Sequence, residues 1–322
     1  MAIGGGTGLS TLLRGLKRHV APQIRPNSHH PISDLAVVVT VSDDGGSSGR
    51  LRRDYSVLPP GDLRNCMVAL SEDEALLGRL FQYRFQSGRG LRGHSFGNLF
   101  LTALSHITGD FTRAVRVSSE VLAIRGRIFP STEQLVSLEA VLENGKIIAG
   151  ETSIGHTRVP IRRVRLVPRK VKPLPEILQA IAAADLILLG PGSLFTSIIP
   201  NLLVSGVVEA IENSRARCVY IANLMTQPGE TLGYSLADHI RAIHHHTGRK
   251  IIDSVVINNK TLSPDVLSRY KSEDAEPVSV DLAEISRMGL DCVAANILEI
   301  HGVVRHDSDR LASLLLENFV TN

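Results

Sequence analysis

The chain alternates short apolar runs with helical patterns, and a polar or glycine-rich loop joins each run to the helix that follows. The apolar runs lie at residues 35–41, 185–189, 218–222 and 251–257. The first is a continuous, β-branched run, which is typical of a strand that is covered on both faces. Strand, loop and helix in repetition, joined by short loops, predict a parallel sheet with helices on both sides. The expected fold class is therefore α/β, with a doubly wound, mostly parallel sheet.

The middle of the chain follows a different period. Apolar and polar side chains alternate over residues 136–149 around Asn144-Gly145, a pair that is typical of a tight hairpin turn. Apolar residues at 161–166 indicate a further antiparallel strand. We interpret residues 128–168 as a small antiparallel β insertion rather than as a separate domain.

Composition limits the number of domains and the class of partner. A chain of 322 residues allows one large domain or two small ones, and we treat 1–322 as a single domain. Lys and Arg number 35 against 32 Asp and Glu, and neither sign forms a long block, which argues against a histone-like binder of nucleic acid. Aromatic residues make up 4% of the chain, so a stacking platform for single-stranded nucleic acid is not expected either.

Cysteine usage and hydropathy indicate the compartment. Cys66, Cys218 and Cys292 are far apart and form no CxxC pair, which fits a reducing compartment and argues against a zinc site. No apolar run approaches the roughly 20 residues of a membrane-spanning helix, and no signal-peptide pattern opens the chain. We therefore expect a soluble intracellular protein. Only two or three strand residues precede the first glycine loop, so we also expect the natural chain to begin further upstream.

The first candidate site is the loop Gly4-Gly5-Gly6-Thr7-Gly8, which opens a helix. In a doubly wound sheet, ligands bind beyond the carboxyl ends of the strands, at the switch in strand order. Glycines let the backbone approach a phosphate, and a helix N-terminus favours the negative charge. The alternative is a tight turn without a ligand. Leu9 stands where a dinucleotide fingerprint needs its third glycine, and no Gly-Lys-Ser/Thr occurs, so an NAD enzyme and a P-loop ATPase are disfavoured.

The second candidate is the loop that follows the run at 35–41, with the sequence Asp43-Asp44-Gly45-Gly46-Ser47-Ser48-Gly49-Arg50. Two adjacent carboxylates can hold Mg²⁺, which takes oxygen ligands and often bridges substrate phosphates. One of them could instead act as a base on a hydroxyl group. The structural alternative is that both pair with Arg50, Arg52 and Arg53 or cap a local turn.

Further candidates lie at helix starts and after later strands. Arg64 and Asn65 follow two stiff prolines, and a guanidinium can bind phosphate oxygens through two hydrogen bonds. We interpret Asp62, just before them, as a helix N-cap. His94 and Asn98 begin another helix that could face the same cleft. Each of these features also has an ordinary explanation in turn chemistry.

Two more loops come directly after predicted strands. They have the sequences Gly190-Pro191-Gly192-Ser193 and, from residue 223, Asn-Leu-Met-Thr-Gln-Pro-Gly-Glu-Thr. Their position makes Ser193, Asn223 and Thr226 candidates for ligand contact. The run His244-His245-His246 is different, because neighbours on a helix point about 100° apart and cannot converge on one metal. We interpret that run as a solvated helix end.

Several segments, in order, carry a resemblance to a known family. They are Ile3–Leu9, Val41–Arg52, Leu58–Asn65, Gly93–Leu99, Leu189–Leu194, Pro200–Leu203 and Asn223–Thr231. Together they resemble the YvcK-type gluconeogenesis factors of the CofD-like group (UPF0052 family), over nearly the whole chain. The one departure is the short first strand.

The resemblance implies a Rossmann-like fold with a site for a nucleoside diphosphate. The CofD transferase moves a phospholactyl group from a guanosine-linked donor to a deazaflavin precursor, with a divalent cation. The YvcK branch implies instead a cytoplasmic protein that binds a UDP-sugar such as UDP-N-acetylglucosamine. It also implies a role in cell shape and wall growth on gluconeogenic carbon sources, with cell-wall synthesis proteins as partners and self-association as a further expectation.

The resemblance also assigns residues. Asp43 and Asp44 match the acidic pair at the cation site of the transferase, and Tyr270 and Arg305 match positions used for the nucleotide. The full set of candidate ligand contacts is Gly4, Gly5, Gly6, Thr7, Gly8, Ser47, Ser48, Arg64, Asn65, Asn98, Gly190, Gly192, Ser193, Asn223, Thr226, Tyr270 and Arg305. Asp43 and Asp44 are the candidate Mg²⁺ ligands and, in an enzyme, the candidate catalytic residues.

Two hypotheses follow, a sugar-nucleotide-binding regulator and a Mg²⁺-dependent transferase that acts on a nucleotide-linked donor. The transferase needs a flat cavity for a deazaflavin, and a chain so poor in aromatic residues gives no sign of one. The regulator is therefore the preferred hypothesis.

Overall fold

A computed structural model describes residues 1–21, 31–72 and 76–320 of the chain. Its strands, in chain order, are β1 Ala2–Gly4, β2 Ala36–Val39, β3 Arg127–Pro130, β4 Ser137–Leu142, β5 Ile147–Ala149, β6 Ile161–Val167, β7 Leu186–Leu189, β8 Arg217–Ile221, β9 Ser254–Asn258, β10 Asp291–Ala295, β11 Leu298–His301 and β12 Val303–His306. Strands β2, β7, β8 and β9 lie within or close to the apolar runs that predict them.

The strands are connected mainly by helices. These are α1 Gly6–Lys17, α2 Gly46–Tyr55, α3 Gly61–Leu70, α4 Leu77–Gln82, α5 Phe96–Thr108, α6 Phe111–Val121, α7 Glu151–Gly155, α8 Pro175–Ala183, α9 Ile199–Leu202, α10 Val207–Glu212, α11 Leu236–Thr247, α12 Pro264–Lys271, α13 Leu282–Arg287 and α14 Ser308–Phe319. A π-helical turn, Leu194–Ile198, leads directly into α9. Within the described ranges, no helix has the length and apolar character needed to span a bilayer.

The main sheet is parallel and doubly wound, as predicted. Its strand order is β10-β9-β8-β7-β1-β2-β3. The central strand β1 pairs with β2 on one side and with β7 on the other, and Ile3 lies opposite both Val38 and Leu189. The chain therefore leaves β1 in one direction and returns to its other side. The switch in strand order lies between β1 and β7, where both glycine loops begin.

The core explains why the apolar runs are continuous. Val37, Val38 and Val39 of β2 are fully buried, as expected of a parallel strand with helices on both faces. On α1, the apolar residues that recur at helical spacing after the glycine loop are also buried. The burial of each contributes about 1.5–3 kcal/mol to the free energy of folding. This burial fixes the first turn of α1, and with it the glycine loop, against the sheet.

The antiparallel insertion is present as a three-stranded sheet in the order β5-β4-β6. Gly145 adopts a φ of +82° at the hairpin turn, a conformation that favours glycine. The insertion is somewhat shorter than the expected range 128–168, because β3 pairs in parallel with β2 in the main sheet. Helix α7 lies between β5 and β6 and packs against the π-helical turn.

The histidine run differs from its interpretation as a solvated helix end. His245 is exposed, but His246 is buried, donates from Nδ1 to the carbonyl of Ala242 and accepts at Nε2 from the N–H of Val164, 2.9 Å away. Burial lowers the pKa of His246 to about 4, so the ring is neutral and can accept this bond. The prediction is wrong for His246 because β6 packs against this helix, a long-range contact that periodicity does not report.

A glycine in α1 gives a direct test of this packing. Helix α1 crosses α14 so closely that a Cβ at Gly15 would overlap the carbonyl of Ser308 and lie 2.9 Å from Cβ of Ala312. In an open helix Gly→Ala gains up to about 1 kcal/mol. Here we expect Gly15→Ala to cost about 1–3 kcal/mol through overpacking, measured by urea unfolding. Gly155→Ala, which meets open space, is the matched control, and a stabilised Gly15→Ala protein would contradict the crossing.

Candidate functional site

A cavity of about 510 Å³ opens at the switch between β1 and β7. Several elements contribute to its wall: both glycine loops, the loop after β8, helix α12 and strand β12. The predicted ligand residues that line it are Gly5, Gly6, Thr7, Gly8, Gly192, Ser193, Asn223, Thr226, Tyr270 and Arg305. Gly4 and Gly190 lie just behind them, in hydrogen bonds that join the strand ends.

Where the two glycine loops cross, they expose backbone, because the space between them is too small for a side chain. A Cβ at Gly8 would lie 2.5 Å from the carbonyl oxygen of Pro191. Gly6 has a φ of +66°, the left-handed region that favours glycine. Helix α1 has no side-chain N-cap and no acidic residue in its first turn. Its N-terminus therefore faces the cavity as a site suited to an anion.

The carboxylate of Asp62 binds the backbone of the first glycine loop. The N–H of Gly6 donates to Asp62 Oδ2 at 2.7 Å, across 56 residues of sequence. The interpretation of Asp62 as a helix N-cap is wrong, since Pro60 occupies that position and the Asp62 carboxylate leaves the first turn of α3 to reach Gly6. Burial raises the pKa of Asp62 to about 6, and the negative charge of Asp43 adds to this effect.

The two adjacent carboxylates after β2 face different partners. Asp43 Oδ1 accepts from the N–H of Gly45 at 2.8 Å. Asp44 Oδ1 accepts from both the N–H and the hydroxyl of Thr152, each at 2.9 Å, and so binds the insertion to this loop. Of the two carboxylates, Asp43 is the one whose negative charge raises the pKa of Asp62.

A further carboxylate, that of Glu151 at the start of α7 in the insertion, lies nearby. Burial, followed by the charges of Asp62 and Asp43, raises the pKa of Glu151 well above its usual value. Its Oε2 atom is buried and has no hydrogen-bond partner. No group of three or more His, Cys, Asp or Glu residues in the described ranges is arranged to hold a metal ion. Any cation here would therefore need oxygen ligands from a substrate as well.

Arg64 organises the remaining predicted residues of this region. Its guanidinium is buried and donates to Ser95 Oγ at 2.5 Å, Asn98 Oδ1 at 3.1 Å and Asn65 Oδ1 at 2.7 Å. The Asn98 amide in turn lies 3.5 Å from Ser48 Oγ. We call Asp43, Asp44, Ser47, Ser48, Asp62, Arg64, Asn65 and Asn98 the polar cluster. It does not line the cavity, but Asp62 connects it to Gly6.

His94 is linked to the polar cluster. Ser47 Oγ lies 3.0 Å from His94 Nδ1, and burial together with the charge of Arg50 lowers the pKa of the imidazole. A neutral His94 ring is therefore favoured beside Ser47.

Two side chains that the sequence pattern did not single out fix the loop after β8 to the second glycine loop and to the π-helical turn that follows it. Gln227 Nε2 donates to Ser193 Oγ at 2.9 Å, and Gln227 Oε1 is buried without a partner at the cavity wall. Glu230 accepts from the N–H of Phe195 and from the hydroxyl of Thr196, and burial raises its pKa. Both residues lie in the loop already selected for its position.

The C-terminal part of the chain closes the cavity. Tyr270 of α12 accepts at its hydroxyl from the N–H of Val304, 2.7 Å away, and joins the helix to the β11–β12 hairpin. Arg305 is exposed on β12 at the cavity and has no ion-pair partner in the described part of the chain. His306 beside it is buried and bonds through Nε2 to the carbonyl of Ala222, and burial lowers its pKa to about 4.

The raised pKa of Asp62 makes a prediction about stability. A carboxyl group that binds its proton more tightly when folded destabilises the protein once it is ionised, and this cost disappears as the pH falls from about 6 to below 3.8. In EDTA at pH 7, we expect Asp62→Asn to unfold at a higher urea concentration than the parent. Its free energy of unfolding should be greater by up to about 3 kcal/mol. The difference should vanish near pH 4. A constant difference across this range would contradict the buried, charged Asp62.

Comparison with known proteins places the chain in a family. The profile of the family described as 2-phospho-L-lactate transferase CofD matches residues 1–298. The gluconeogenesis factor of Bacillus subtilis is 46% identical over 315 residues, which cover 98% of this chain and 96% of that protein. The gluconeogenesis factor of Halalkalibacterium halodurans is 47% identical over 318 residues, with 98% and 95% covered.

A solved structure agrees with these matches. A crystal structure of a Bacillus halodurans protein, described as a member of the UPF0052 family, superposes with a TM-score of 0.91 at 46% identity. The superposition covers 98% of this chain and 97% of the other. This similarity confirms the Rossmann-like arrangement of a parallel main sheet with a small antiparallel sheet. The chain therefore belongs to the CofD family, in the group whose relatives are named gluconeogenesis factors.

Proposed function

We propose that this chain is a cytoplasmic regulator that binds a UDP-sugar, of the type of UDP-N-acetylglucosamine, in the cavity between β1 and β7. The observation that carries the proposal is the convergence of two glycine loops, a helix N-terminus and Arg305 on one cavity of about 510 Å³. This volume lies within the usual range for small-molecule sites. The pyrophosphate is the part of such a ligand that these groups suit best.

The charges and donors suggest how the ligand lies. The N-terminus of α1 and the backbone of Gly5, Thr7 and Gly8 would bind the pyrophosphate, and Arg305 would neutralise it. The Gly6 N–H is already bonded to Asp62. Tyr270 and the loop with Asn223 and Thr226 lie on the same cavity and supply an aromatic face and polar groups for a base and ribose. The buried Gln227 Oε1, which lacks a partner, would accept a hydrogen bond from the ligand.

The relatives' name supports a link to growth on gluconeogenic carbon sources. In this proposal, occupancy of the cavity reports the supply of sugar nucleotide to cell-wall synthesis, and proteins of that pathway read the signal. The chain's contribution to cell shape would then depend on binding rather than on turnover of the ligand.

Arg305 gives the first test, by calorimetric titration with UDP-N-acetylglucosamine. A hydrogen-bonded charge contact is worth about 1.5–3 kcal/mol, so we expect Arg305→Ala to weaken binding roughly 10- to 100-fold. Arg305→Lys should recover part of the loss. Arg287→Ala, on the distant α13, is the matched control. If Arg305→Ala and the parent bind with equal affinity, Arg305 is not part of the site. If no UDP-sugar gives a heat of binding with the parent, the proposal is wrong.

One observation favours a second candidate, a Mg²⁺-dependent transferase. Three carboxylates lie near one another beside the glycine loop that would hold the pyrophosphate, those of Asp43, Asp62 and Glu151. A Mg²⁺ ion there would be held by Asp43 with Asp44 or Asp62, together with phosphate oxygens. When bound, it would neutralise negative charge on a departing phosphate. Arg64, fixed by Asn65 and Asn98, would add positive charge nearby.

Asp43→Asn separates the two candidates. We expect this variant to fold and to lose the Mg²⁺-dependent part of nucleotide binding, since an amide is a poorer ligand for Mg²⁺. Chromatography of mixtures of parent protein, Mg²⁺ and UDP- or GDP-linked donors should find each donor intact. A new product that the parent forms over more than one turnover, and that Asp43→Asn does not form, would contradict the regulator and support the transferase. Loss of the fold in Asp43→Asn would make the carboxylate structural and refute its role in Mg²⁺ binding.

A further inference from the structure

Positive charge is concentrated in one short part of the insertion. Residues 158–172 hold seven of the chain's 35 Lys and Arg residues and none of its 32 Asp and Glu. The rest of the chain therefore has more acidic than basic residues. These cations are Arg158, Arg162, Arg163, Arg165, Arg169, Lys170 and Lys172. The segment covers β6 and the residues on both sides of it.

The fold turns this segment into the wall of a groove. Strand β6 is at the edge of the three-stranded sheet. Between this edge and the ends of α9 and α11 lies a groove of about 480 Å³, which we call the β6 groove. Val141 and Leu203 give it an apolar lining, while Arg162, Arg163 and Arg169 are exposed around it.

The charges of the β6 groove are largely uncompensated. Arg165 pairs with Glu139 at 2.7 Å. For Arg162, Arg163 and Arg169, by contrast, the described ranges contain no carboxylate partner. Unpaired like charges at close range repel one another, so an anionic partner would relieve this repulsion as well as form new contacts. The strand edge is also held in place, because Val164 N–H bonds to His246 on α11.

We infer that the β6 groove docks an acidic segment of a partner protein in which acidic and apolar side chains alternate. Arginine binds carboxylates through two hydrogen bonds in a fixed plane, and it is enriched at protein interfaces where lysine is depleted. The apolar lining from Val141 and Leu203 would take the side chains between the acidic ones. An extended segment presents alternate side chains on opposite faces, which fits a groove that lies beside a strand.

The same observations disfavour nucleic acid and membranes as occupants. No Phe, Tyr or Trp lines the β6 groove, so bases would find no aromatic face except the imidazole of His245. The apolar lining residues Val141 and Leu203 are half-buried rather than exposed, so this surface offers a membrane little apolar area for insertion. The site is also separate from the cavity between β1 and β7, since the two share no lining residue.

Charge reversal with defined peptides tests the inference. The probe is a fluorescein-labelled peptide of ten residues with alternating Glu and Leu, and the control peptide has Gln in place of Glu. We expect the parent chain to bind the Glu peptide at least tenfold more tightly than the Gln peptide. The double variant Arg163→Glu/Arg169→Glu should lose this preference. Arg89→Glu/Arg116→Glu, which reverses two exposed arginines elsewhere, should retain it.

Circular dichroism and urea unfolding establish that each variant folds like the parent. Equal binding of the Glu and Gln peptides, or an unchanged preference in the groove variant, would overturn the inference. Displacement of the bound Glu peptide by a 15-nucleotide single-stranded RNA or by phosphatidylglycerol vesicles at a lower concentration than unlabelled Glu peptide would overturn it too, in favour of the other occupant. None of these outcomes depends on whether the cavity binds a UDP-sugar.

Discussion

The close approach of the two glycine loops at the ends of β1 and β7 determines the rest of the site. A side chain at Gly8 would collide with Pro191, so at this crossing the loops can present only backbone to the cavity. The same crossing requires that β1 and β7 be neighbours, which the switch in strand order provides. The N-terminus of α1 then faces the space that remains. A cavity with backbone donors on one wall is a direct result of this arrangement.

Buried and half-buried carboxylates hold this arrangement together, and burying them has an electrostatic cost. Asp62 binds the first glycine loop, Asp44 binds the insertion, and Glu230 binds the turn after the second glycine loop. Burial raises the pKa of Asp62, Glu151 and Glu230. Ionisable groups with perturbed pKa values cluster at functional sites.

The sequence predicted what depends on local pattern and not what depends on distant partners. The strands around β1 and the loops after them follow from continuous apolar runs and glycine spacing. The roles of Asp62 and His246 were not predictable, because each binds a group far away in the sequence. The β11–β12 hairpin was missed as well, since its strands are short and largely exposed. Arg305 was selected by family resemblance rather than by its own pattern.

We propose that a sugar nucleotide occupies the cavity between β1 and β7. Hydrogen–deuterium exchange with and without UDP-N-acetylglucosamine tests it most directly, because amide protection locates the ligand on the chain. A ligand in this cavity should slow exchange in the segments around residues 5–11, 191–197 and 223–228 and leave exchange in the β6 groove unchanged. Protection confined to the insertion, or no protection anywhere at saturating ligand, would contradict it.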